Sequence, residues 1–569
     1  MPLETLHDTP RASLLGLPSE MRQQIYLEYF TIEGGYVYDS ATDKIVQANH
    51  CPIDLSLRQV CRTIARETYD YPFTLNTITF STAYRRDWRK KAAALDFILS
   101  YHCLIIDAML ARLRHCSTPD MYDTPSQQDS RYMPPIKQRI SDTINFERRR
   151  PDCNIHINTD CLINDFKKHW GNTQNGGDMT KVSMHHNNIS RNRAYTNLLR
   201  QIASKHPEKF REAIDDLLPG WAKSKSSPTS DFFNLGFEFW AIPSLPEITD
   251  TVERFELGER WDNLDLWRYS EYEKEGYTGK TYCYQRKHFF SAAALAIRFL
   301  KSISQTQRLL ITKLTLNEDR MAFGNPECHI IGLIPFIKEN PKLFIKHQVS
   351  LWRNIFPRGC ATELSGFPTA NESIIEPEEG IPGPHQVHYQ WASRIISIFI
   401  MHTLEAMKEG LPPNSYCLIL DGEPEMNHAT KTFRYLMDRK IAWMTANTDC
   451  VAQGVLASPK SKNYPLQTCF STSELVAVHD RGSIIQCNFT LDQPWNYNTI
   501  AGDKGKTIKR WKSVNAVERD YGDDQDGLFD VSNGKVDWMQ IKGEYFEMKP
   551  RSDLSEGEIR ALKSGGLRE

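Results

Sequence analysis

The chain has 569 residues and a formal net charge of −2, with 69 Lys and Arg against 71 Asp and Glu. At roughly 150 residues per domain, this length predicts three to four domains. Gly and Pro, 30 of each, are too few for a disordered low-complexity chain. The balanced charge argues against a chain-wide nucleic-acid or membrane-surface binder, so we expect no nucleic acid and no membrane among the partners.

The cysteine pattern predicts an intracellular protein, in the cytoplasm or the nucleus. The 13 Cys are odd in number and scattered, unlike a secreted disulfide scaffold. The N-terminus carries acids at Glu4 and Asp8 and lacks an apolar stretch long enough for a signal peptide. The apolar run at Ile395–Met401 is far shorter than the ~20 residues that cross a bilayer, so we expect no transmembrane segment.

A helix is the first predicted element. It follows Leu17-Pro18-Ser19-Glu20, where proline is tolerated in the first helical turn. Leu17, Met21, Ile25 and Tyr29 recur every four residues, which predicts a buried apolar stripe along one face. The helix is expected to end before Gly34-Gly35.

Three further elements complete a small N-terminal unit over residues 12–82. Residues 36–38 and 44–46 are β-rich runs around a turn-forming segment, which predicts a hairpin. Asp54 is a candidate N-cap for a second helix that Pro72 ends. Residues 77–80 (TITF) are typical of a strand.

The rest of the chain predicts an α+β protein that is predominantly helical. Its first mixed region is residues 83–360, with boundary loops near 117–135 and 223–230, and a second mixed region spans 385–550 before a short terminal helix or tail at 551–569. No fold is assigned to 136–190 or 232–284. The predicted helices cover 92–113, 193–218, 330–340, 342–352, 387–407 and 430–445, with one more starting near Gln285, and the predicted strands cover 309–316 and 416–420.

The N-terminal motifs resemble the F-box. Its pattern is an LPxE helix followed by a helix carrying VCR, here Leu17-Pro18-Ser19-Glu20 and Val60-Cys61-Arg62. The likeness is closer to F-box-like proteins of filamentous fungi, in which a hairpin separates the helices and an NTxTF-type strand follows, here residues 76–80. That family also shares phrases like residues 290–300 (FSAAALAIRFL) and 326–336 (PECHIIGLIPF).

The resemblance implies an interaction function and no catalysis by this chain. F-boxes bind the Skp-type linker of cullin-RING ubiquitin ligases, and the remainder of such a chain selects a protein substrate, here unknown. The positions that match the family pattern and hold the fold or face the linker are Leu17, Pro18, Ile25, Val60 and Cys61. The chain departs from the pattern by an insertion at Gly34–Pro52 and by Ile64, where the family usually has an aromatic residue.

Two alternatives follow from the same residues. In the first, the apolar stripes are the core of a small subdomain that packs on the rest of the chain and is buried by it. The protein is then a structural or binding protein without a ligase role. In the second, the chain is an enzyme that uses the acids after a strand, Asp421, Glu423 and Glu425. That hypothesis needs a pocket that also holds a histidine such as His428 or His479.

The remaining motifs are weak. Residues 502–507 (GDKGKT) end like a phosphate loop but lack its first glycine, so a solvated basic turn is expected. Cys153, His156, Cys161 and His169 match no zinc spacing, and we expect no metal and no cofactor. The basic runs 85–91 and 148–150 could contact phosphates or act as import signals, but we interpret them as solvated faces.

Overall fold

The computed structural model describes residues 13–123, 132–149, 189–221, 225, 227–255, 257, 267–269, 282–358, 386–437, 484–490, 528–530, 536 and 538–557. Over these residues the fold is α+β and predominantly helical, as the sequence predicts. The helices are α1 (Ser19–Phe30), α2 (Ser56–Gln59), α3 (Arg62–Glu67), α4 (Tyr71–Leu75), α5 (Arg89–Leu113), α6 (Pro119–Asp123), α7 (Met133–Arg149), α8 (Ile189–Lys205), α9 (Pro207–Leu217), α10 (Pro228–Phe233), α11 (Leu245–Arg254), α12 (Ala292–Ser302), α13 (Gln305–Arg308), α14 (Ile334–Glu339), α15 (Tyr389–Lys408), α16 (426–437) and α17 (Trp538–Gly543). The strands are β1 (Tyr36–Asp39), β2 (Lys44–Gln47), β3 (Ile78–Ser81), β4 (Arg268–Tyr269), β5 (Tyr282–Arg286), β6 (Lys313–Glu318), β7 (Phe344–Ser350), β8 (Gln386–His388), β9 (Tyr416–Asp421), β10 (Ile485–Cys487), β11 (Leu528–Asp530) and β12 (Phe546–Pro550).

A seven-stranded sheet in the order β10-β9-β7-β6-β3-β1-β2 organises the molecule. Every neighbouring pair is parallel except the β1–β2 hairpin. From β1 to β10, each new parallel strand joins the same side of the growing sheet. Since crossovers between parallel strands are right-handed, this order places the connecting helices on one face.

The two faces of the sheet differ in burial, because the connecting helices cover only one of them. Along β6, Leu314 and Leu316 are buried, whereas Thr315 and Asn317 on the opposite face are only half-buried. The partner strands repeat this alternation in register, for example Thr79 beside Thr315. The polar outer face is unusual for a parallel sheet, which is commonly covered on both sides.

Helix α5 is the centre of a helical layer. It packs against α8, α9 and α11, and its side chains are buried around most of its circumference. Among the described residues, the 86–116 segment that contains it is the one helix long and apolar enough to cross a membrane, and 89% of its most apolar window is buried. Burial by protein on all sides is typical of a core helix.

A polar network lies between the sheet and its helices. The side chain of Ser291 caps α12 and contacts His329 Nδ1 at 2.6 Å, while His329 Nε2 lies 2.6 Å from the Gly324 carbonyl oxygen. Nearby, Glu318 accepts a hydrogen bond from the Ala293 N–H at 3.1 Å. The buried Ser291–His329 contact therefore joins the 290–300 and 326–336 segments.

The structure confirms several predicted elements and corrects others. Confirmed are α1, the β1–β2 hairpin, β3, α5, the helices α8 and α9, and the strands β6 and β9. The single helix expected from Asp54 to Pro72 is instead three short helices, α2 to α4. Pro72 lies in the first turn of α4 rather than at the end of a helix, which its fixed φ allows.

Two elements of the second half differ from expectation. The segment 342–352, expected to be helical, forms β7, because Ile345, His347 and Val349 alternate into the core. The helix expected near Gln285 begins only at Ala292, because Gln285 belongs to β5 and pairs with Glu547 of β12. The expected linker at 361–384 lies outside the described residues.

The expected boundary near residue 82 is crossed by the sheet. Strand β3 of the N-terminal unit pairs with β6, more than 200 residues later. The side chain of Thr82 donates a hydrogen bond to Asp319 at 2.6 Å, and Ala83 bridges to Phe290. The buried hydrophobic residues of the sheet and the helical layer form one continuous cluster, from Tyr36 to Phe546.

Candidate protein-interaction surface

The helices of the N-terminal unit have a small core of their own. Tyr26 and Phe30 of α1 and Ile64 of α3 are buried together, apart from the main cluster. Tyr71 of α4 lies edge-on to both aromatic rings, with centroids 6.0 Å and 6.2 Å away. These contacts fix α1 against α3 and α4 through one row of its side chains.

One ion pair and several hydrogen bonds orient the segment that contains α2 and α3 along α1. Arg22 binds Glu67 with two hydrogen bonds, of 3.0 Å and 2.5 Å, and the Tyr26 hydroxyl donates to the same carboxylate at 2.8 Å. Hydrogen bonds from Arg22 and Tyr26 lower the pKa of Glu67. At the other end of α1, the Tyr29 hydroxyl donates to Asp54 at 2.7 Å.

These two attachments set the direction of the α2–α3 segment. Residue 54 lies beside residue 29, and residue 67 lies beside residue 22, so the segment runs antiparallel to α1. Residues 22 and 29 of α1 are about 10 Å apart along the helix axis. Val60 lies between these two attachment points on the segment, and Ile25 lies between their partners on α1.

The apolar row expected to be buried on α1 is largely exposed. Met21 is 50% exposed and Ile25 is 40% exposed, and Val60 at the end of α2 is 67% exposed. The expectation of a buried stripe was wrong because α1 carries two apolar rows. The row containing Tyr26 and Phe30 is the buried one, because its rings fill the space against α3 and α4. Arg22 of the same row hydrogen-bonds to Glu67.

The five residues singled out from the sequence lie on this unit, and none is fully buried. Ile25, Val60 and Pro18 are exposed, and Leu17 and Cys61 are half-buried. Pro18 is the N-cap of α1, and Cys61 is the N-cap of α3. Leu17 also has a structural role, because its carbonyl oxygen accepts a hydrogen bond from Arg22 at 2.7 Å.

Sequence reasoning did not assign Met21 and Leu15 to the partner-binding set, although both are exposed on the same unit. Met21 precedes Ile25 by four residues, so the helical period could have identified it. Leu15 lies in the 3-10 turn before α1, where no period applies. We call Leu15, Met21, Ile25 and Val60 the apolar face of the N-terminal unit.

The acids after β9 form a hydrogen-bonded turn. Asp421 accepts hydrogen bonds from the Asn488 amide at 2.6 Å and from the Glu423 N–H at 3.1 Å. The Trp352 indole N–H donates to the Gly422 carbonyl at 2.8 Å, and His428 stacks on the Trp352 ring. These contacts give Asp421 and His428 structural roles.

The other candidate sites are not placed. Cys153, His156, Cys161 and His169 lie outside the described residues, as do His479 and residues 502–507, which were expected to form a turn. Within the described part of the chain, no three His, Cys, Asp or Glu side chains group in a way that could hold a metal ion. The chain matches no model of a known protein family, no curated protein and no solved structure.

Proposed function

We propose that this protein is an intracellular interaction adaptor that docks through the apolar face to the Skp-type linker of a cullin-RING ubiquitin ligase. The observation that carries the proposal is the exposure of Met21, Ile25 and Val60 on a unit whose own core is already filled. Single exposed apolar side chains are ordinary on protein surfaces. The N-terminal unit exposes six of them, of which Leu15, Met21, Ile25 and Val60 make up the apolar face, and this density suits burial by a partner protein.

The resemblance to the F-box supplies the partner. Ile25 and Val60 match family positions, and both are exposed in the free chain. In this role the chain performs no chemistry. It holds a substrate near the ligase, which raises the effective concentration of the substrate at the site of ubiquitin transfer.

The two alternatives have less support. An N-terminal unit sealed by the rest of the chain requires buried Leu17, Ile25 and Val60, whereas two of them are exposed and the third is half-buried. An enzyme using Asp421 has less support because the Asp421 Oδ1 already accepts hydrogen bonds from the Glu423 N–H and from the side chain of Asn488, which gives the carboxylate a structural role.

The test is binding of the full chain to a Skp-type linker, measured by co-elution and by calorimetry. Ile25→Asp and Val60→Asp place a charge in the proposed interface and should weaken binding by about 2 kcal/mol or more, roughly 30-fold in Kd. Both side chains are exposed in the free chain, so the fold should persist, which circular dichroism checks.

Leu27→Asp is the matched control. Leu27 is also on α1 and 43% exposed, but it lies two residues from Ile25 and so faces a different direction. This variant should bind like the wild type. Failure of the wild-type chain to bind, or equal binding by a folded Ile25→Asp or Val60→Asp variant, contradicts the proposed interface.

A further inference from the structure

The basic segment Arg85–Lys91 does not form a simple solvated face. Trp88 in its middle is buried, and three cationic groups pack over its ring. The Lys91 Nζ and the Arg85 Cζ each lie 4.2 Å from the ring centroid, and the Arg298 Cζ of α12 lies 4.9 Å away. We call these four residues the Trp88 cluster.

Two of the three cations have carboxylate partners. Arg298 forms a two-point ion pair with Asp43 of the hairpin turn, with one contact at 2.6 Å. Arg85 pairs with Asp87 through contacts of 2.6 Å and 3.0 Å. Within the described residues no carboxylate pairs with Lys91, which is half-buried. The cluster therefore has one cation whose charge is not matched by an ion pair.

The surroundings of Lys91 increase this imbalance. Arg89, Lys90 and Lys91 occupy the first turn of α5, a 25-residue helix with no acid in that turn. The N-terminal end of a helix carries partial positive charge, so cations there are repelled. Burial lowers the pKa of Lys91 to about 8, with Arg298 and Arg85 acting in the same direction and the Asp87 and Asp43 carboxylates opposing them, which leaves the amine mostly protonated at neutral pH.

We propose that the Trp88 cluster binds a phosphoryl group, with Lys91 as its principal contact. A phosphomonoester carries close to two negative charges and several acceptor oxygens, which match the ammonium group of Lys91, the one cation of the cluster without an ion-pair partner among the described residues. The buried indole strengthens the attraction, because it excludes water from one side of the charges. The group could belong to a small phosphorylated molecule or to a phosphorylated side chain, which share this chemistry.

This inference is independent of the apolar face. The cluster joins the hairpin turn, the start of α5 and α12, whereas the proposed linker surface lies on α1 and α2. Loss of phosphate binding should leave linker binding unchanged, and loss of linker binding should leave phosphate binding unchanged.

The experiment titrates the full chain with inorganic phosphate and with N-acetyl-O-phosphoserine amide at constant ionic strength, followed by calorimetry and tryptophan fluorescence. The wild type should bind saturably, and Lys91→Gln should weaken binding at least tenfold. Lys90→Gln is the control, because it removes the same charge one residue away and should change binding by less than twofold.

The two probes identify the source of the group. Tighter binding of phosphoserine than of phosphate indicates a phosphorylated side chain, and the reverse order indicates a small phosphate compound. Without a probe, Lys91→Gln should unfold close to the temperature of the wild type, because the lost contact with the Trp88 ring is offset by the relief of repulsion between cations. Absence of saturable binding, or equal binding by wild type and Lys91→Gln, overturns the proposal.

Discussion

Asp96 of α5 and His288 are buried side by side in the core. The Asp96 Oδ2 lies 3.8 Å from the His288 Nδ1. Burial raises the pKa of Asp96 to about 6, an effect that Arg286 partly opposes. Burial also holds the pKa of His288 well below its ordinary value, with Arg286 and Arg89 acting in the same direction. The fold therefore favours the neutral form of both groups.

The raised pKa of Asp96 predicts that ionisation of this group lowers the stability of the fold at higher pH. The unfolded chain releases this proton near pH 4 and the folded chain near pH 6, so the group lowers the free energy of unfolding as pH rises between them. Asp96→Asn removes the titrating group. Between pH 4 and pH 7.5, the free energy of unfolding of this variant should therefore rise relative to that of the wild type by up to about 3 kcal/mol, which corresponds to a difference of about two pKa units.

Urea unfolding of both proteins from pH 4 to pH 7.5 measures this difference. His288 acts oppositely, because its lowered pKa costs stability as pH falls below about 6.5. It is present in both proteins, so its own contribution largely cancels in the comparison. Parallel stability curves for wild type and Asp96→Asn would show that Asp96 is not responsible.

At the scale of elements, two serine N-caps differ in their hydrogen-bond partners and in their burial. Ser291 caps α12 by accepting from the Ala294 N–H at 2.9 Å, and it also contacts His329. Burial lowers the pKa of His329 to about 4, so the ring is neutral, its Nε2–H donates to the Gly324 carbonyl and its Nδ1 accepts from Ser291. Ser304 caps α13 at the exposed surface through a capping box with Gln307.

Removing these caps should therefore have unequal effects. Ser291→Ala loses the cap and leaves the buried His329 Nδ1 without its donor, so we expect a loss of about 2–3 kcal/mol in the free energy of unfolding. Ser304→Ala should lose about 1 kcal/mol or less. Chemical denaturation of the two variants checks the difference, and equal losses would mean that the Ser291–His329 contact adds no stability.

At the scale of the whole molecule, the N-terminal unit is built into the sheet. Its strand β3 pairs with β6, and Asp43 of its hairpin turn pairs with Arg298 of α12. The small cluster of Tyr26, Phe30 and Ile64 is the core of its helices alone. The strands depend for burial on residues that come more than 200 positions later.

A fragment of residues 1–90 should consequently fail to fold cooperatively. Without β6 and α12, the buried faces of β1 and β3 meet water, and three strands with a short helical core bury too little surface for stability. Thermal unfolding followed by circular dichroism, with the full chain as control, measures this. A sharp transition in the fragment would show that the unit folds alone.

The local sequence pattern was sufficient to predict α1, the β1–β2 hairpin, α5 and β9. These elements have helical or alternating apolar spacing, or turn residues between β-rich runs, so short-range physics specifies them. Strand β7 was missed because His347 occupies one of its inward positions. Histidine is polar, so it interrupts the apolar alternation expected of a buried strand. Its burial depends on partners from other strands: the Tyr416 hydroxyl lies 2.8 Å from the His347 Nδ1, and the Glu318 Oε1 lies 3.6 Å from the His347 Nε2.

The sequence by itself singled out Ile25 and Val60, through the resemblance of the LPxE and VCR motifs to the F-box, and it predicted the helix that carries Ile25. Only the tertiary structure decided that these side chains face outward. Spacing places Met21 and Ile25 on one side of a helix, but whether that side is covered depends on which row packs better against the neighbouring helices. Here Tyr26 and Phe30 fill the core, and the competing row is left available to a partner.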